Sequence, residues 1–432
     1  MRCPPQIVVD GLYGIQSYGD DAMLLSLVEN FRRRIPQVHF TVLCRHPDEL
    51  TERYGIPSIR NLDHPEWVEP RGYWFYGFNE HQPREHIDRL RETIATCDLL
   101  IIGGGNLLLD ITDDWLRGPI AWHWFSSEIA RIYQVPYMIF ANSVGPFRTE
   151  WGRVRSAHIL RHAAAITVRD EESLRLVEEM GIARERVHLL PDPALTVTPD
   201  VEAAAHILSE IHHPSLTGRL KIGVSVRNLS WRLDVRGVER YLAVLQRLCD
   251  RLVEEFKAWI LFIPQCSYEH GRPTEDDRVV ACQVLRGMRN KELASVLNGQ
   301  YRAEAVMGIY RWIDLALTTR LHGAVFSAAA HTPFLAVAYL PKVQGFLRHV
   351  GMEEWSLALE DFQEEEHLVQ KIAGLIARKQ EVATRLRETV PRAQRQAQEH
   401  FDVMARLVRY PEPLSDGDLL PSGLRKEDEG LA

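Results

Sequence analysis

Short apolar runs alternate with longer amphipathic stretches along nearly the whole chain, and this alternation restricts the fold more than any other feature. A run of four to six apolar residues suits a strand buried on both faces, and the 3.6-residue pattern that follows suits a helix laid over it. The repeat therefore predicts parallel sheets with helices on their faces. Candidate strands are 6–9, 39–44, 99–102, 136–141, 165–168 and 187–190, and the pattern restarts at 221–226, 258–263, 303–307, 315–318 and 334–338. Helical periodicity is clearest over 21–34, 171–180 and 238–256.

Between the two sets lies 191–219, punctuated by Pro191-Asp192-Pro193 and Pro199-Asp200. A chain of 432 residues suits two or three domains. The expected assembly is two Rossmann-like α/β domains facing across a cleft, 1–200 and 215–363, then a charged helical segment, 364–410, and an acidic tail, 411–432. Open sheets of this kind bind ligands at the carboxyl ends of their strands.

Charge and cysteine usage narrow the function. Lys and Arg total 51 against 59 Asp and Glu, a formal charge of −8. The tail contributes −4 of it, through Glu412, Asp416, Asp418, Glu427, Asp428 and Glu429 against Arg425 and Lys426. A nucleic-acid binder would carry a basic excess, so none is expected, whereas an anionic small molecule answers to the local field of a cleft. Six cysteines without a Cys-x-x-Cys pair suit reduced thiols in the cytoplasm. No signal pattern opens the chain, and the longest apolar stretch, 324–340, is broken by His331-Thr332-Pro333, so no membrane span is expected.

Three strand ends carry residues suited to chemistry. Gly11 to Asp21 forms a glycine-bearing loop before the first helix, where Asp20 reads as a helix N-cap or a catalytic carboxylate and Asp21 equally as either. Gly103, Gly104, Gly105 and Asn106 follow a buried strand, allowing backbone to approach a ligand, but the spacing fits neither a dinucleotide fingerprint nor a Walker loop. Arg320 and His322 stand where another strand turns into a helix of small residues. There a guanidinium can grip a carboxylate or phosphate and an imidazole can move a proton. Arg227 and Lys342 follow two further strands of the same half, giving a three-cation set with Arg320 for a small, multiply charged anion.

Other signals are weaker. Trp67, Tyr73, Trp74, Phe75, Tyr76 and Phe78 crowd one loop, and Trp115, Trp122, Trp124 and Phe125 follow the triple glycine, either as core or as a platform for a sugar ring. His158 and His162, and His212 with His213, lack a third ligand, so no metal site is expected. No Gly-x-Ser-x-Gly elbow or His-Glu-x-x-His helix is present.

In order, the blocks Tyr18-Gly19-Asp20-Asp21-Ala22, Gly103 to Asp110, Ser143-Val144-Gly145-Pro146, Val168 to Ser173, Pro191-Asp192-Pro193-Ala194, Arg320-Leu321-His322-Gly323 and Tyr339-Leu340-Pro341-Lys342 resemble the polysaccharide pyruvyl transferase family. The resemblance implies a GT-B-type fold and transfer of pyruvate from phosphoenolpyruvate onto a sugar as a cyclic ketal, on a cell-surface or exopolysaccharide precursor. By position, Arg227, Arg320 and His322 resemble the family's donor-binding and catalytic set, with Lys342 added. The C-terminal half then holds phosphoenolpyruvate and the N-terminal half the saccharide, lipid-linked or free. Phosphoenolpyruvate is a substrate, and no cofactor or metal is expected. His322 is the expected general acid and Asp21 the expected base. The sequence departs from the family at Ser17, where Asn is frequent, and over the aromatic loop 64–86. A nucleotide-sugar glycosyltransferase and a non-catalytic glycan-binding protein are the alternatives. The expected location is the cytoplasm, including the inner face of the membrane.

Overall fold

The computed structural model describes residues 4–63, 84–110, 118–211, 217–269, 274–363 and 365–409. Two parallel sheets organise them. The first contains β1 (Gln6–Asp10), β2 (His39–Cys44), β3 (Ser58–Arg60), β4 (Leu99–Leu108), β5 (Tyr137–Val144), β6 (Ala165–Val168) and β7 (Val187–Leu189), in the order β3-β2-β1-β4-β5-β6-β7. The second contains β8 (Leu220–Ser225), β9 (Ala258–Phe262), β10 (Ala294–Val296), β11 (Leu315–Thr318), β12 (Phe334–Ala338) and β13 (Ser356–Ala358), in the order β10-β9-β8-β11-β12-β13. This is the two-domain GT-B architecture, with both sheets covered by helices.

In each half the strand order reverses beside the first strand, between β1 and β4 and between β8 and β11. Chains leaving two adjacent strands in opposite directions open a crevice, and this is where such sheets bind ligands. Alternation along the strands explains burial on both sides. Ile7 and Val9 join one apolar cluster while Val8 joins the other, as do Leu99 and Ile101 against Leu100 and Ile102.

The link between the halves is held in place rather than free. Ser26 Oγ donates to Pro193 O at 2.7 Å and Asn30 Nδ2 to Thr196 Oγ1 at 2.9 Å, tying the turn after β7 to the helix Tyr18–Arg34. At the other end, helices Glu365–Ala377, Lys379–Ala397 and Glu399–Arg409 carry the chain back to the first sheet. His400 is buried there with Nδ1 2.9 Å from Thr167 Oγ1, and Arg34 pairs with Asp402 at 2.7 Å.

Sequence and structure differ at several elements. Residues 303–307 form the start of a helix, Ala303–Ile309, not a strand. Its run of apolar residues is buried almost all round, which removes the periodicity that distinguishes the two. β3, β10 and β13 have three residues each, too short for an apolar run to register. The triple glycine continues β4 to Leu108 instead of ending it, with an irregular register against β5 between Gly105 and Leu108. Among the described residues no helix is long and apolar enough to cross a membrane, and Cys44, Cys97, Cys249, Cys266 and Cys282 are unbridged.

Candidate functional site

The loops that follow the strands of one sheet meet those of the other. Ser17, after β1, bridges Cys266, after β9; Tyr18 N donates to Gln265 O at 3.0 Å and Ser267 N to Gln16 O at 3.0 Å. Asp192, after β7, faces His322, after β11, and Arg348 pairs with Glu171 at 2.8 Å. The carboxyl edges of the two sheets therefore enclose one cleft.

On the C-terminal wall three cations surround one phenol. Arg227 leaves the end of β8 and lays its guanidinium carbon 4.8 Å from the Tyr339 ring centre and 5.2 Å from that of Trp231. Lys342 places its amine 6.0 Å from the same Tyr339 ring. Neither has a carboxylate ion pair among the described residues. Burial lowers the pKa of both, and their mutual repulsion and that of Arg320 and Arg169 act in the same direction. Tyr339 shows the field from the other side. Burial alone would raise its phenol, but Lys342, Arg227 and Arg320 outweigh it and bring the pKa down to about 8.

Arg320 differs from the other two. Its Nε and Nη2 form a two-pronged pair with the fully buried Asp277, at 3.0 and 2.6 Å, and Asp277 also accepts from the backbone N–H of Gln265 and Cys266. The guanidinium expected to grip a carboxylate or phosphate grips one of the chain's own: two of its nitrogens hold the sheet end together, and Nη1 is the one left by Asp277. The helix it opens, Leu321–Ala329, has no side-chain cap, and beside it the buried hydroxyls of Ser225 and Thr318 lack hydrogen-bond partners. Uncapped N–H groups and idle hydroxyls at a strand end suit an anion.

His322 faces the other way, into the N-terminal wall. Its ring fills the space that the absent side chain of Gly19 leaves, since a Cβ there would stand 1.8 Å from Nδ1. Nε2 points towards Asp192 Oδ2 at 3.7 Å and has no hydrogen-bond partner. Asp192 is itself fixed by Arg169 at 2.6 Å and by the N–H of Ala194. Burial opposes the Asp192 charge, yet Arg169 and His322 keep its carboxyl below the ordinary range. Burial likewise pushes the His322 imidazole below 6.5, with Asp192 and Asp20 pulling the opposite way. Lys342 stands between the two groups, sensing Tyr339 and Arg227 on one side and Arg169 and Asp20 on the other.

The N-terminal residues sort differently from expectation. The helix begins at Tyr18 with Ser17 at its N-cap, so Asp20 lies in the first turn and does not cap. Asp20 faces the cleft: a Cβ on Gly105, at φ 108°, would approach its Oδ1 to 2.9 Å, and it acts on both His322 and Lys342. Asp21 turns away from that group. It is buried beneath Tyr54, whose hydroxyl donates to Oδ2 at 2.9 Å, with Arg53 4.0 Å away, and burial raises its pKa to about 7. Of these two carboxylates it is Asp20 that acts on the histidine, alongside Asp192, and Asp20 is one residue from the expected base.

Two of the three glycines serve the fold. A Cβ at Gly103 would strike Phe140 O at 2.3 Å, and one at Gly104, φ 86°, the Tyr13 hydroxyl at 2.2 Å. Tyr13 in turn donates to Gly103 O at 2.6 Å. Gly105 and Asn106 are the members that reach the cleft: Gly105 O accepts from Arg169 at 3.2 Å, and the buried Asn106 Oδ1 has no partner. An open pocket of about 390 Å³ lies beside them, with Asn106, Ser143 and Pro146 on one side and Leu340 and Lys342 on the other.

Other expectations resolve as follows. Trp122, Trp124 and Phe125 pack on the second apolar cluster. The aromatic residues of 64–83, and Trp115, lie outside the described residues. His158 pairs with Glu128 at 2.7 Å, and His212 and His213 lie outside the described residues. Sequence reasoning missed Asp192, Arg169, Tyr339 and Asp277 as site residues. The first three stand inside the ordered blocks, so their signal was present; Asp277 sits mid-chain with nothing local to mark it.

The amylovoran biosynthesis protein AmsJ of Erwinia amylovora is 24% identical over 414 residues, covering 89% of this chain and 95% of its own. Among solved structures, Anabaena HepE in complex with UDP and glucose superposes with a TM-score of 0.60 at 13% identity, covering 94% of this chain and 99% of its own. A glycosyltransferase from Rickettsia africae gives 0.59 at 11% identity, covering 95% and 100%. At such identities the structural likeness speaks for the fold alone. The polysaccharide pyruvyl transferase family model matches residues 18–341, from Tyr18, just before the Gly19 that admits His322, to the residue before Lys342, and the chain belongs to that family.

Proposed function

We propose that the protein transfers a pyruvyl group from phosphoenolpyruvate to two hydroxyls of a saccharide, forming a cyclic ketal on a cell-surface or exopolysaccharide precursor. One observation carries the reading: two half-buried cations without a carboxylate ion pair among the described residues, Arg227 and Lys342, stand at the ends of two strands of the sheet that also presents His322, whose Nε2 has no hydrogen-bond partner. Buried charges need counter-charges. Phosphoenolpyruvate supplies a phosphate and a carboxylate, and Arg227, Lys342, the free nitrogen of Arg320 and the helix N-terminus at Leu321 bind them. The C-terminal half is thus the donor side and the N-terminal half, with Asn106 and Gly105, the acceptor side.

Chemistry follows from the two walls. His322, as imidazolium stabilised by Asp192, gives a proton to the methylene carbon of phosphoenolpyruvate, making C2 electrophilic. A sugar hydroxyl attacks C2 and yields its proton to Asp20, the carboxylate that faces the histidine. The C2–O bond to phosphate then breaks, a second hydroxyl adds, and its proton leaves with the phosphate. Asp20 then gives its proton to solvent and His322 takes one up, restoring both groups for the next cycle.

Incubation with phosphoenolpyruvate and candidate glycans tests the reading. Inorganic phosphate and a pyruvate ketal on the glycan, both lost in His322→Ala, are expected. Release of a nucleoside diphosphate from a nucleotide sugar, with no phosphate from phosphoenolpyruvate, would instead identify a glycosyltransferase.

A further inference from the structure

Tyr339 has no part in the chemistry above, yet it occupies the centre of the cation set. Its ring is nearly buried, carries the Arg227 guanidinium at 4.8 Å and the Lys342 amine at 6.0 Å, and meets Trp231 edge-on at 6.1 Å. Arg227 and Lys342 both favour the ionised form of its hydroxyl. A ring that served only as packing would not need an oxygen at the one place where two uncompensated cations converge.

The charged groups around it come from every neighbouring element. Arg227 follows β8, Arg320 follows β11 and is largely neutralised by Asp277, and Lys342 opens the helix Pro341–Val350; Asp20 and Arg169 reach Lys342 from the N-terminal half. The Tyr339 phenol is the titratable acid whose ring lies against both Arg227 and Lys342. We propose that Tyr339 is a donor-site residue that changes partner: its oxygen, when ionised, offsets part of the charge of Arg227 and Lys342 in the unliganded protein, and when phosphoenolpyruvate binds it is protonated and donates a hydrogen bond to an anionic oxygen of that ligand. The inference rests on the donor reading above and adds a residue and a proton to it.

Proton balance fixes the expected signature. The phenol titrates at about 8 in the empty site and must be protonated in the filled one. Binding at pH 8 therefore takes up about half a proton at this residue, and donor affinity weakens about tenfold for each pH unit above 8.

The experiment is calorimetric titration of phosphoenolpyruvate into wild-type protein and Tyr339→Phe, in buffers of different ionisation enthalpy, across pH 7 to 9. Phenolate absorbance is followed in the same samples. Phe keeps the ring beneath Arg227, and the wild-type absorbance alone tests the idea should the variant not fold. The expected result has four parts: a wild-type phenolate band with a midpoint near 8 that vanishes on saturation, about half a proton more uptake than in Tyr339→Phe at pH 8, an affinity about tenfold weaker in the variant at pH 7, and convergence by about pH 9. Equal affinity and proton count in both proteins, or no band assignable to Tyr339 below pH 10, would overturn the Tyr339 role and leave the donor reading standing. No binding to wild-type protein would overturn both.

Discussion

The two halves of the molecule share a topology and differ at the ends of their strands. In both, the strand order reverses beside the first strand. The crevice at β1 and β4 is closed by Tyr13 against Gly103 and Gly104 and bordered by Asp20 and Asn106. The one at β8 and β11 is ringed by Arg227, Arg320, Tyr339 and Lys342. Similar strand-end ledges thus carry different side chains, and on the proposed function the division between donor and acceptor rests on those few residues after the strands and not on the fold.

Substitutions on either wall can break this contrast. The largest effect is expected at His322, where the walls meet. His322→Ala should lower turnover about a thousandfold while changing phosphoenolpyruvate affinity little, read by single-turnover phosphate release and by binding. The acid form of His322 is the one required, and burial holds its pKa below 6.5, so kcat/KM should fall as pH rises through that lower value.

Next comes Arg320→Ala, which leaves the carboxylate of Asp277 buried without its guanidinium. A loss of about 3–5 kcal/mol in denaturant stability is expected. Arg227→Met should show the reverse pattern: stability kept or raised, because a half-buried charge without a carboxylate ion pair is removed, and donor affinity weakened about 10- to 100-fold. If both variants lost affinity alone, the three cations would be equivalent ligands and the assignment of Arg320 to Asp277 would fail.

The smallest effect belongs to the N-terminal wall. The Asp21 carboxyl titrates at about 7 when folded against an ordinary 3.8, so the folded state binds more protons than the unfolded between those values. Stability contributed by its protonated form is complete below about pH 4 and declines up to about pH 7. Asp21→Asn should flatten that decline, read as denaturant midpoints at pH 5 and pH 8, and leave the donor affinity unchanged.

The strand ends that matter were legible because each follows an apolar run: Arg227, Arg320 and Lys342 are located by counting from a strand, and the structure puts all three on one wall. What the sequence could not convey was pairing across long separations. Asp277 claims Arg320 from 43 positions away, and nothing local marks it. Asp192 meets His322 only because the turn after β7 is pinned to the first helix. Asp20 and Asp21 are adjacent, and a helix start three residues earlier than the periodicity indicated decides which one faces the cleft. Short edge strands and the helix Ala303–Ile309 were missed for a simpler reason, since three residues or an evenly buried run carry no period.

The most direct measurement compares ligands on one protein. Thermal unfolding of the wild type should be shifted upward by phosphoenolpyruvate and not by UDP-glucose, and the shift should disappear in Arg227→Met and Lys342→Met, because a ligand bound only by the folded state raises its stability. A shift with UDP-glucose alone, or a phosphoenolpyruvate shift that survives both substitutions, would contradict a donor site on the C-terminal wall.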